Sequence, residues 1–255
     1  MRPTPIHKPE AFTRIDLITL IAVIIVGLAL LSMHFLPRHR VRYLSTRIPC
    51  INNLKQIGTA YRIWGNDHND RFPHLQSAAE GGWRELLTNA DQGSRCWTNY
   101  ALMSNELGQS PRVLVCPSDE RKPSGAFSNL VSNTNLSYFA GVSASDTEPQ
   151  SLLGGDRNLG PGNQPGPDYG FSPKSDMGND VAIPTRWKID PTCWSLKMHS
   201  LGSSDGAGNI LLGDGSAQQC SSAGFRMNWL RNADPTTNWP VGHIPSVPSI
   251  RVLFP

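Results

Sequence analysis

The strongest constraint on how this chain folds is one apolar run near its N-terminus. Residues 17–36 are almost wholly apolar, and about 20 such residues are needed for a helix to cross the hydrocarbon core of a bilayer. A secretory signal peptide has a shorter apolar core and then a small-residue cleavage site. Here the run is followed by Pro37 and several arginines. We therefore predict a retained membrane span over residues 17–36.

The pattern changes after this span. Because Arg38, Arg40 and Arg42 adjoin the apolar run, we interpret them as contacts to lipid headgroups and not as a nucleic-acid patch. Apolar residues then recur at steps of three or four, which predicts an amphipathic helix over about 49–64. Pro37 and Pro49 are expected to bend or open the helix, and Pro49 suits the first turn of a new one. The apolar positions are Ile51, Leu54, Ile57, Tyr61 and Trp64.

The residues around the start of the span resemble a known family. The string AFTRIDLITLIAVIIV, residues 11–26, is similar to the leader junction of type IV prepilins and type II secretion pseudopilins. The resemblance implies that residues 1–11 are a leader, that a prepilin peptidase cleaves between Ala11 and Phe12, and that Phe12 is then N-methylated. It also implies that Asp16 neutralises the new N-terminal amine of a neighbouring subunit. An acidic side chain near a bilayer interior costs several kcal/mol unless it is paired, which fits that role.

The same resemblance implies an orientation for the chain. Lysine and arginine residues are equally frequent on the two sides of the span, so the positive-inside rule gives no orientation. Members of the family have a cytoplasmic N-terminus and an extracytoplasmic head. We therefore expect a single-pass inner-membrane protein whose head lies in the periplasm or at the cell surface.

Short strings further along the chain resemble a bacterial subgroup of prepilin-like proteins. They are CINNLKQIG at 50–58, NDRFP at 69–73, LVCPSD at 114–119, SYFAGV at 137–142, GDRN at 155–158, and His199 followed by Asp214-Gly215. Because two of these strings contain Cys50 and Cys116, the resemblance implies a disulfide between them.

Cysteine spacing alone does not determine the pairing. The chain has five cysteines and no CxxC pair, so it gives no support to a zinc ribbon or a thioredoxin-type site. Up to two disulfides and one leftover thiol are possible outside the cytoplasm. The cysteines are Cys50, Cys96, Cys116, Cys193 and Cys220.

The rest of the chain predicts short elements and long loops. With 23 glycines and 21 prolines, long helices after Trp64 are not expected. We predict a helix at 82–89, strands at 112–119 and 137–142, a loop at 154–180, a three-stranded meander at 193–199, 208–213 and 216–220, and a helix at 222–232. Asp214-Gly215 is the predicted type I′ turn of the meander, because both central positions of that turn take positive φ. Phe225, Trp229 and Leu230 lie on one side of the last helix, and Asp234-Pro235 ends it.

These elements predict an α+β fold, and the family resemblance implies that it is pilin-like. We expect residues 1–11 to be the leader and residues 12–64 a long, partly transmembrane N-terminal helix, with the span at about 17–36 and the amphipathic part at about 49–64. This helix packs on a small antiparallel β-sheet with loop-rich insertions, within a globular head at 65–255.

Two groups of residues carry possible chemistry. Ser216, His199 and Asp214 are the residue types of a hydrolase triad, but Asp214 is needed by the turn and no G-x-S-x-G elbow precedes a serine. We therefore predict no enzymatic activity and no cofactor. Oxygen-bearing side chains past the end of the amphipathic helix suit either a calcium loop or a solvated turn, and the missing EF-hand glycine and glutamate favour the turn. These are Asp67, Asn69 and Asp70.

The family resemblance implies a structural subunit of a type IV pilus-like or type II secretion pseudopilus-like assembly. Its partners would be the lipid bilayer, a prepilin peptidase and sister subunits, without nucleic acid. The alternative is a membrane-anchored extracytoplasmic binding module, delivered by the prepilin route, whose tryptophans stack on a carbohydrate instead of filling the core. Those tryptophans are Trp83, Trp97, Trp187, Trp194 and Trp239.

Overall fold

The computed structural model describes residues 13–35, 39–88, 95–185, 191–200, 205–229 and 249–255. The chain divides into two compact units, Met1–Arg42 and Tyr43–Pro255. The fold is α+β, with one N-terminal apolar helix and an antiparallel sheet. Several residues singled out in the sequence lie outside the described ranges: Ala11, Phe12, Pro37, Trp187, Leu230, Asp234, Pro235 and Trp239.

The first helix, α1, is Arg14–Phe35 and has 22 residues. Its stretch Arg14–Ser32 is exposed along its whole length. By length and composition it is apolar enough to be a membrane span or a signal sequence. The helix covers the described part of the predicted span and begins slightly before it.

The second helix, α2, is His39–Asp67 and has 29 residues, with Pro49 in its interior. The prediction that a helix begins at Pro49 was wrong. Proline in a helix interior removes one hydrogen bond, but tertiary packing of an apolar face supplies most of the stability of a helix in a protein. That packing is extensive here, because the apolar positions Leu54, Ile57, Tyr61 and Trp64 are all buried.

Six strands form one sheet in the order β4-β8-β1-β2-β6-β7, and neighbouring strands are antiparallel. The strands are β1 Tyr138–Gly141, β2 Leu152–Asp156, β4 Asn179–Pro184, β6 Ala207–Leu212, β7 Ala217–Ser221 and β8 Ser249–Phe254. A separate two-stranded sheet pairs β3, Leu159–Pro161, with β5, Thr192–Trp194. The remaining helices are α3 Cys96–Ala101, α4 Ser222–Gly224, a π-helical turn Phe225–Trp229, and 3₁₀ turns at Ala78–Glu80, Arg84–Thr88, Pro111–Leu114, Phe127–Asn129 and Asn133–Asn135.

The sheet has an apolar layer on each face, because successive residues of a strand point to opposite sides. On one face, α2 packs through Leu54, Ile57 and Tyr61 against strand residues that include Tyr138 and Leu211. On the other face lie Phe139, Ile210, Leu212, Val252 and Phe254, together with Trp194 and Phe225. The sheet is thus covered by α2 on one side and by the segments around β5 and α4 on the other.

Several predicted elements agree with the fold. Strand β1 lies within the predicted strand at 137–142, and β6 and β7 form the predicted hairpin. The helix predicted at 82–89 is a 3₁₀ turn, and the last predicted helix begins at Ser222 as expected.

Other predicted elements were wrong. Residues 112–119 form no strand, because the 3₁₀ turn Pro111–Leu114 occupies that region with proline at its start. The predicted loop at 154–180 contains β3 and parts of β2 and β4. Residues 192–194 pair with β3 and not with β6, whose second neighbour is β2. The strand β8 was not predicted.

The turn between β6 and β7 also differs from the prediction. Gly215 has φ of 82°, whereas Asp214 is not among the residues with positive φ. The amide of Gly215 donates to Leu212 O at 2.9 Å, and the amide of Leu212 donates to Ser216 O at 2.9 Å. This pattern is that of a type I turn followed by a glycine bulge, which is the usual form of a slightly longer hairpin loop.

Candidate functional site

The N-terminal end of α1 is closed by a capping box between Thr13 and Asp16. The Thr13 amide and hydroxyl donate to Asp16 Oδ2 at 2.9 and 2.7 Å, and the Asp16 amide donates to Thr13 Oγ1 at 3.3 Å. Such reciprocal bonds satisfy amides that have no partner inside the helix. They hold the Asp16 carboxylate in the first turn of the apolar helix, and the residue is exposed.

Inside the head, residues from several separate strings of the sequence meet in one buried cluster. Cys50 of α2 forms a disulfide with Cys116, across a sequence separation of 66 residues. This is the pair that the family resemblance implied. The other three cysteines are free: Cys96 and Cys193 are buried and Cys220 is half-buried.

His199 lies directly beside this disulfide. Its Nε2 is 3.4 Å from Cys116 Sγ and also 3.4 Å from Asp156 Oδ2. Arg47 of α2 donates from Nη2 to the backbone oxygen of His199. His199 is 2% exposed and Asp156 is fully buried. We call Cys50, Cys116, Asp156 and His199 the cysteine–histidine cluster.

Burial controls the protonation of this cluster. It raises the pKa of Asp156 to about 8, although the amide and side-chain Nδ2 of Asn209 donate to Oδ2 at 2.7 and 2.8 Å and oppose the shift. Burial, and then the charge of Arg47, lower the pKa of His199 to about 4. At neutral pH His199 is therefore uncharged and Asp156 is largely protonated. Their contact is a neutral one and not an ion pair.

A second buried pair lies next in the chain. Arg157 donates from Nε and Nη2 to the two carboxylate oxygens of Asp119 at 2.7 and 2.8 Å, a bidentate geometry. The side chains are 2% and 0% exposed, and the guanidinium lies 3.4 Å from the ring centre of Tyr169. Burial alone would raise the pKa of Asp119, but the hydrogen bonds and charge of Arg157 outweigh it and hold that pKa below its ordinary value.

Asn158 completes this region by joining chain segments. Its Nδ2 lies 2.9 Å from Lys197 O, 3.1 Å from Ala207 O and 3.4 Å from Ser195 O. The string GDRN therefore places three consecutive polar side chains into three different buried contacts, and one of these supports the segment that carries His199.

The helix α2 meets the hairpin turn through two glycines. A Cβ atom at Gly58 would lie 2.6 Å from Gly215 O and 2.7 Å from Leu211 Cδ1. No real Cβ sits so close to a backbone oxygen, so glycine at position 58 permits the close approach of helix and turn. Near the same surface Arg62 pairs with Asp146.

The three residues considered as a triad are not joined. His199 contacts Cys116 and Asp156, whereas Asp214 Oδ1 accepts a hydrogen bond from the Ser216 amide at 2.8 Å within the turn. Among the described residues no hydrogen bond connects His199 to Ser216 or to Asp214. Asp214 thus belongs to the turn, through its side chain and not through a positive φ, and His199 belongs to a different group.

Of the tryptophans that could stack on a sugar, the three in the described part of the chain lie in the core or pack against it. Trp83 is 2% exposed and donates from Nε1 to Asn99 Oδ1 at 3.2 Å. Trp194 is fully buried against Phe225, with ring centres 5.5 Å apart. Trp97 is half-buried and packs against the core. Neither Trp83 nor Trp194 has a face free for a ligand.

The acidic segment after α2 is a solvent-exposed turn. Asn69 and Asp70 have φ of 57° and 54°, and Asp67, Asn69 and Asp70 are all exposed. The amides of His68 and Asp70 both donate to Gly65 O at 2.9 Å. The backbone itself therefore closes this turn at the end of the helix.

The sequence did not predict the roles of Asp119, Asp156 and Arg157. The available signal was their charge: ionisable residues beside otherwise apolar strands and turns need partners if they are buried. No family model, no curated protein and no solved structure matches this chain. Its function is therefore argued from its own residues and geometry.

Proposed function

We propose that this chain is a prepilin-like structural subunit, anchored by α1, with a pilin-like head displayed outside the cytoplasm. The observation that carries the proposal is α1 itself. It is a 22-residue apolar helix whose only acidic residue, Asp16, lies in its first turn. An exposed apolar surface of this length needs lipid or other helices to cover it.

Asp16 is the chemical feature that an anchor alone does not need. A carboxylate near the hydrocarbon boundary costs several kcal/mol unless a cation pairs with it. Its present partner is Thr13, which is uncharged. If the chain is cleaved between Ala11 and Phe12, each subunit gains a cationic amine at the same end of the helix. Packing of sister helices would bring that amine to a neighbouring Asp16, and the pair would set the register of assembly.

The head fits the role of a displayed domain. Its ionisable residues Asp119, Asp156, Arg157 and His199 are buried in paired contacts. The disulfide between Cys50 and Cys116 is expected in an oxidising compartment outside the cytoplasm. These features support an orientation with the N-terminus in the cytoplasm and a head that acts through its shape.

The test uses the full chain, expressed in a bacterial membrane with and without a prepilin peptidase. With the peptidase we expect a mature N-terminus at N-methylated Phe12 by mass spectrometry, and filaments that pellet after shearing. Asp16→Asn should be inserted and processed but should form fewer than about a tenth of the filaments, since a tenfold effect corresponds to only about 1.4 kcal/mol.

The matched control is Asp205→Asn, an exposed aspartate of the head, which should assemble as the parent does. If residues 1–11 are retained in the presence of an active peptidase, or if Asp16→Asn and Asp205→Asn assemble equally well, the proposal is wrong.

A further inference from the structure

We propose that the cysteine–histidine cluster is a tetrahedral zinc site when its disulfide is reduced, with Cys50, Cys116, His199 and Asp156 as the four ligands. Zinc and the disulfide would then be alternative links between the same two chain segments. This inference does not depend on the proposed assembly function.

Three of the four ligand atoms already lie close together. The sulfurs of Cys50 and Cys116 and a ring nitrogen of His199 all lie within 4.8 Å of one another. With zinc–sulfur and zinc–nitrogen bonds of about 2.3 and 2.0–2.1 Å, sulfur and nitrogen ligands lie roughly 3.6 Å apart. The separation of Cys116 Sγ and His199 Nε2 is 3.4 Å.

Asp156 is the proposed fourth ligand. A nitrogen and an oxygen ligand of one tetrahedral zinc ion lie roughly 3.4 Å apart, and His199 Nε2 lies 3.4 Å from Asp156 Oδ2. The same nitrogen therefore faces both a sulfur and a carboxylate oxygen at ligand spacing. Two changes are required: the two sulfurs must separate to roughly 3.8 Å, which reduction of the disulfide permits, and the Asp156 carboxylate must move toward them, because only the ligand atoms of Cys50, Cys116 and His199 already lie within 4.8 Å of one another.

The surroundings would support the ligands. Ser118 donates its amide to Cys116 Sγ at 3.4 Å, and Asn209 fixes Asp156 Oδ2 with two hydrogen bonds. Hydrogen bonds of this kind orient metal ligands and tune their basicity. Two thiolates and one carboxylate around Zn²⁺ leave one negative charge. Arg47, which bonds to the backbone of His199, would offset it.

The donor set and burial decide which ion would bind. Thiolates favour zinc among the common divalent ions, whereas calcium and magnesium take oxygen ligands. All four side chains are at most 2% exposed, so the site would be closed to water. Four protein ligands without an open position are typical of a structural and not a catalytic zinc site.

The disulfide form and the zinc-bound form interconvert by reduction and oxidation of the two cysteines. A phosphine reductant gives two electrons to the Cys50–Cys116 bond, takes up the oxygen of a water molecule, and leaves two thiols. Zinc then binds and displaces the two thiol protons and the proton that Asp156 carries at neutral pH. In the reverse direction a disulfide-bearing oxidant accepts two electrons from the thiolates, the sulfur–sulfur bond forms, and the zinc ion is released. In both states the same 66-residue separation is bridged.

The experiment uses the full chain in detergent, reduced with a phosphine and titrated with Co²⁺ as a spectroscopic substitute for zinc. We expect one Co²⁺ per chain, with thiolate-to-cobalt charge-transfer bands and the strong visible bands of tetrahedral cobalt, all removed by Zn²⁺. The oxidised protein should show neither set of bands. The absence of these bands in the reduced chain would overturn the proposal.

Variants assign the ligands. Cys116→Ser should lose at least half of the charge-transfer intensity, and Asp156→Asn should weaken cobalt binding at least tenfold. The control is the chain with Cys96, Cys193 and Cys220 all changed to serine, which should bind as the parent does. Undiminished bands in Cys116→Ser, or loss of the bands in the control with its near-ultraviolet circular dichroism intact, would contradict the assignment.

A second measurement avoids variants altogether, because removal of a buried cysteine can prevent folding. The reduced parent chain is alkylated with iodoacetamide with and without Zn²⁺, and the modified cysteines are identified by mass spectrometry. Zinc should slow modification of Cys50 and Cys116 at least tenfold and leave Cys220 unchanged. Equal protection of all three cysteines, or protection of none, would exclude the site.

Discussion

Helix α2 packs tightly on the hairpin turn at Gly58 but not at Gly65. Replacement of each glycine by alanine should therefore change the free energy of unfolding in opposite directions. Glycine in a helix costs about 1 kcal/mol relative to alanine, so Gly→Ala stabilises wherever the methyl group has room. At Gly65 the nearest atom to a new Cβ is Arg71 O at 3.7 Å, an ordinary contact. Gly65→Ala should therefore raise the free energy of unfolding by up to about 1 kcal/mol.

At Gly58 the methyl group would lie 2.6 Å from Gly215 O and 2.7 Å from Leu211 Cδ1. The carbonyl belongs to the backbone of a tight turn and cannot rotate away as a side chain would, so the helix must move from the sheet. Overpacking of this kind costs typically about 1 to 3 kcal/mol. With the gain in helix propensity of about 1 kcal/mol subtracted, Gly58→Ala should lower the free energy of unfolding by up to about 2 kcal/mol.

The two variants serve as controls for each other, because both replace a glycine of α2 with alanine. Urea unfolding of the full chain in detergent, followed by tryptophan fluorescence, measures both. The midpoints should move in opposite directions, with similar dependence on urea concentration. If Gly58→Ala is as stable as Gly65→Ala, the close approach of helix and turn is not a constraint, and the reasoning fails.

Two further predictions concern buried charge. Asp119→Asn should lower the free energy of unfolding by about 3 kcal/mol, because it leaves Arg157 buried without its carboxylate. The control is Glu120→Gln, whose side chain is 61% exposed and 3.8 Å from the same arginine; it should cost less than about 1 kcal/mol. Equal losses of stability in urea unfolding would contradict this prediction. Burial lowers the pKa of His74 to about 4 from the ordinary 6.5, although its bond to Ala144 O opposes the shift. Between those pH values the unfolded chain binds the proton more readily, so the free energy of unfolding falls as the pH is lowered. His74→Gln should remove up to about 3 kcal/mol of that decrease. If the parent and His74→Gln lose the same free energy of unfolding between pH 6.5 and pH 4, the prediction is wrong.

The parts of the fold that the sequence predicts are those whose pattern is local. The spacing of Leu54, Ile57, Tyr61 and Trp64 is itself the buried face of α2, since a helix repeats every 3.6 residues. The hairpin of β6 and β7 follows from two short runs joined by an Asp-Gly turn. Both need only neighbouring residues to be specified.

The parts that were missed depend on distant partners. Strand β8 lies between β4 and β1, and its residue Arg251 is buried beside Asp180, with Nε 3.0 Å from a carboxylate oxygen. An arginine at the centre of a short strand obscures its apolar pattern, and the compensating carboxylate lies on another strand. The run 113–115 was predicted as a strand because its residues favour strands. It has no strand partner in the described sheet, and residues 113 and 114 belong to the 3₁₀ turn Pro111–Leu114.

The candidate cluster was predictable only in part for the same reason. Resemblance to a family implied the pairing of Cys50 with Cys116, whereas no spacing rule relates either cysteine to His199. The histidine reaches the disulfide because β3 pairs with β5 and Asn158 holds the segment that follows. The four residues of the cluster come from four separate segments of the chain, so no local motif of the CxxC type marks them in the sequence.

The contacts along α2 suggest why a covalent link lies where it does. Among the residues of α2 whose side chains the structure describes, Arg47 is the first that is tied to the head, through the backbone of His199. The Cys50–Cys116 disulfide follows, and then the contact of Gly58 with Gly215. Tension that enters α2 from its N-terminal side would reach the first two links before the apolar face that follows. Hydrophobic packing yields gradually when a helix is pulled, whereas a disulfide, or a metal ion with the same two sulfurs, does not yield until a covalent or coordination bond breaks. If the chain is the assembly subunit proposed above and is held by its N-terminal helix, a link at that position would keep tension on the helix from unfolding the head.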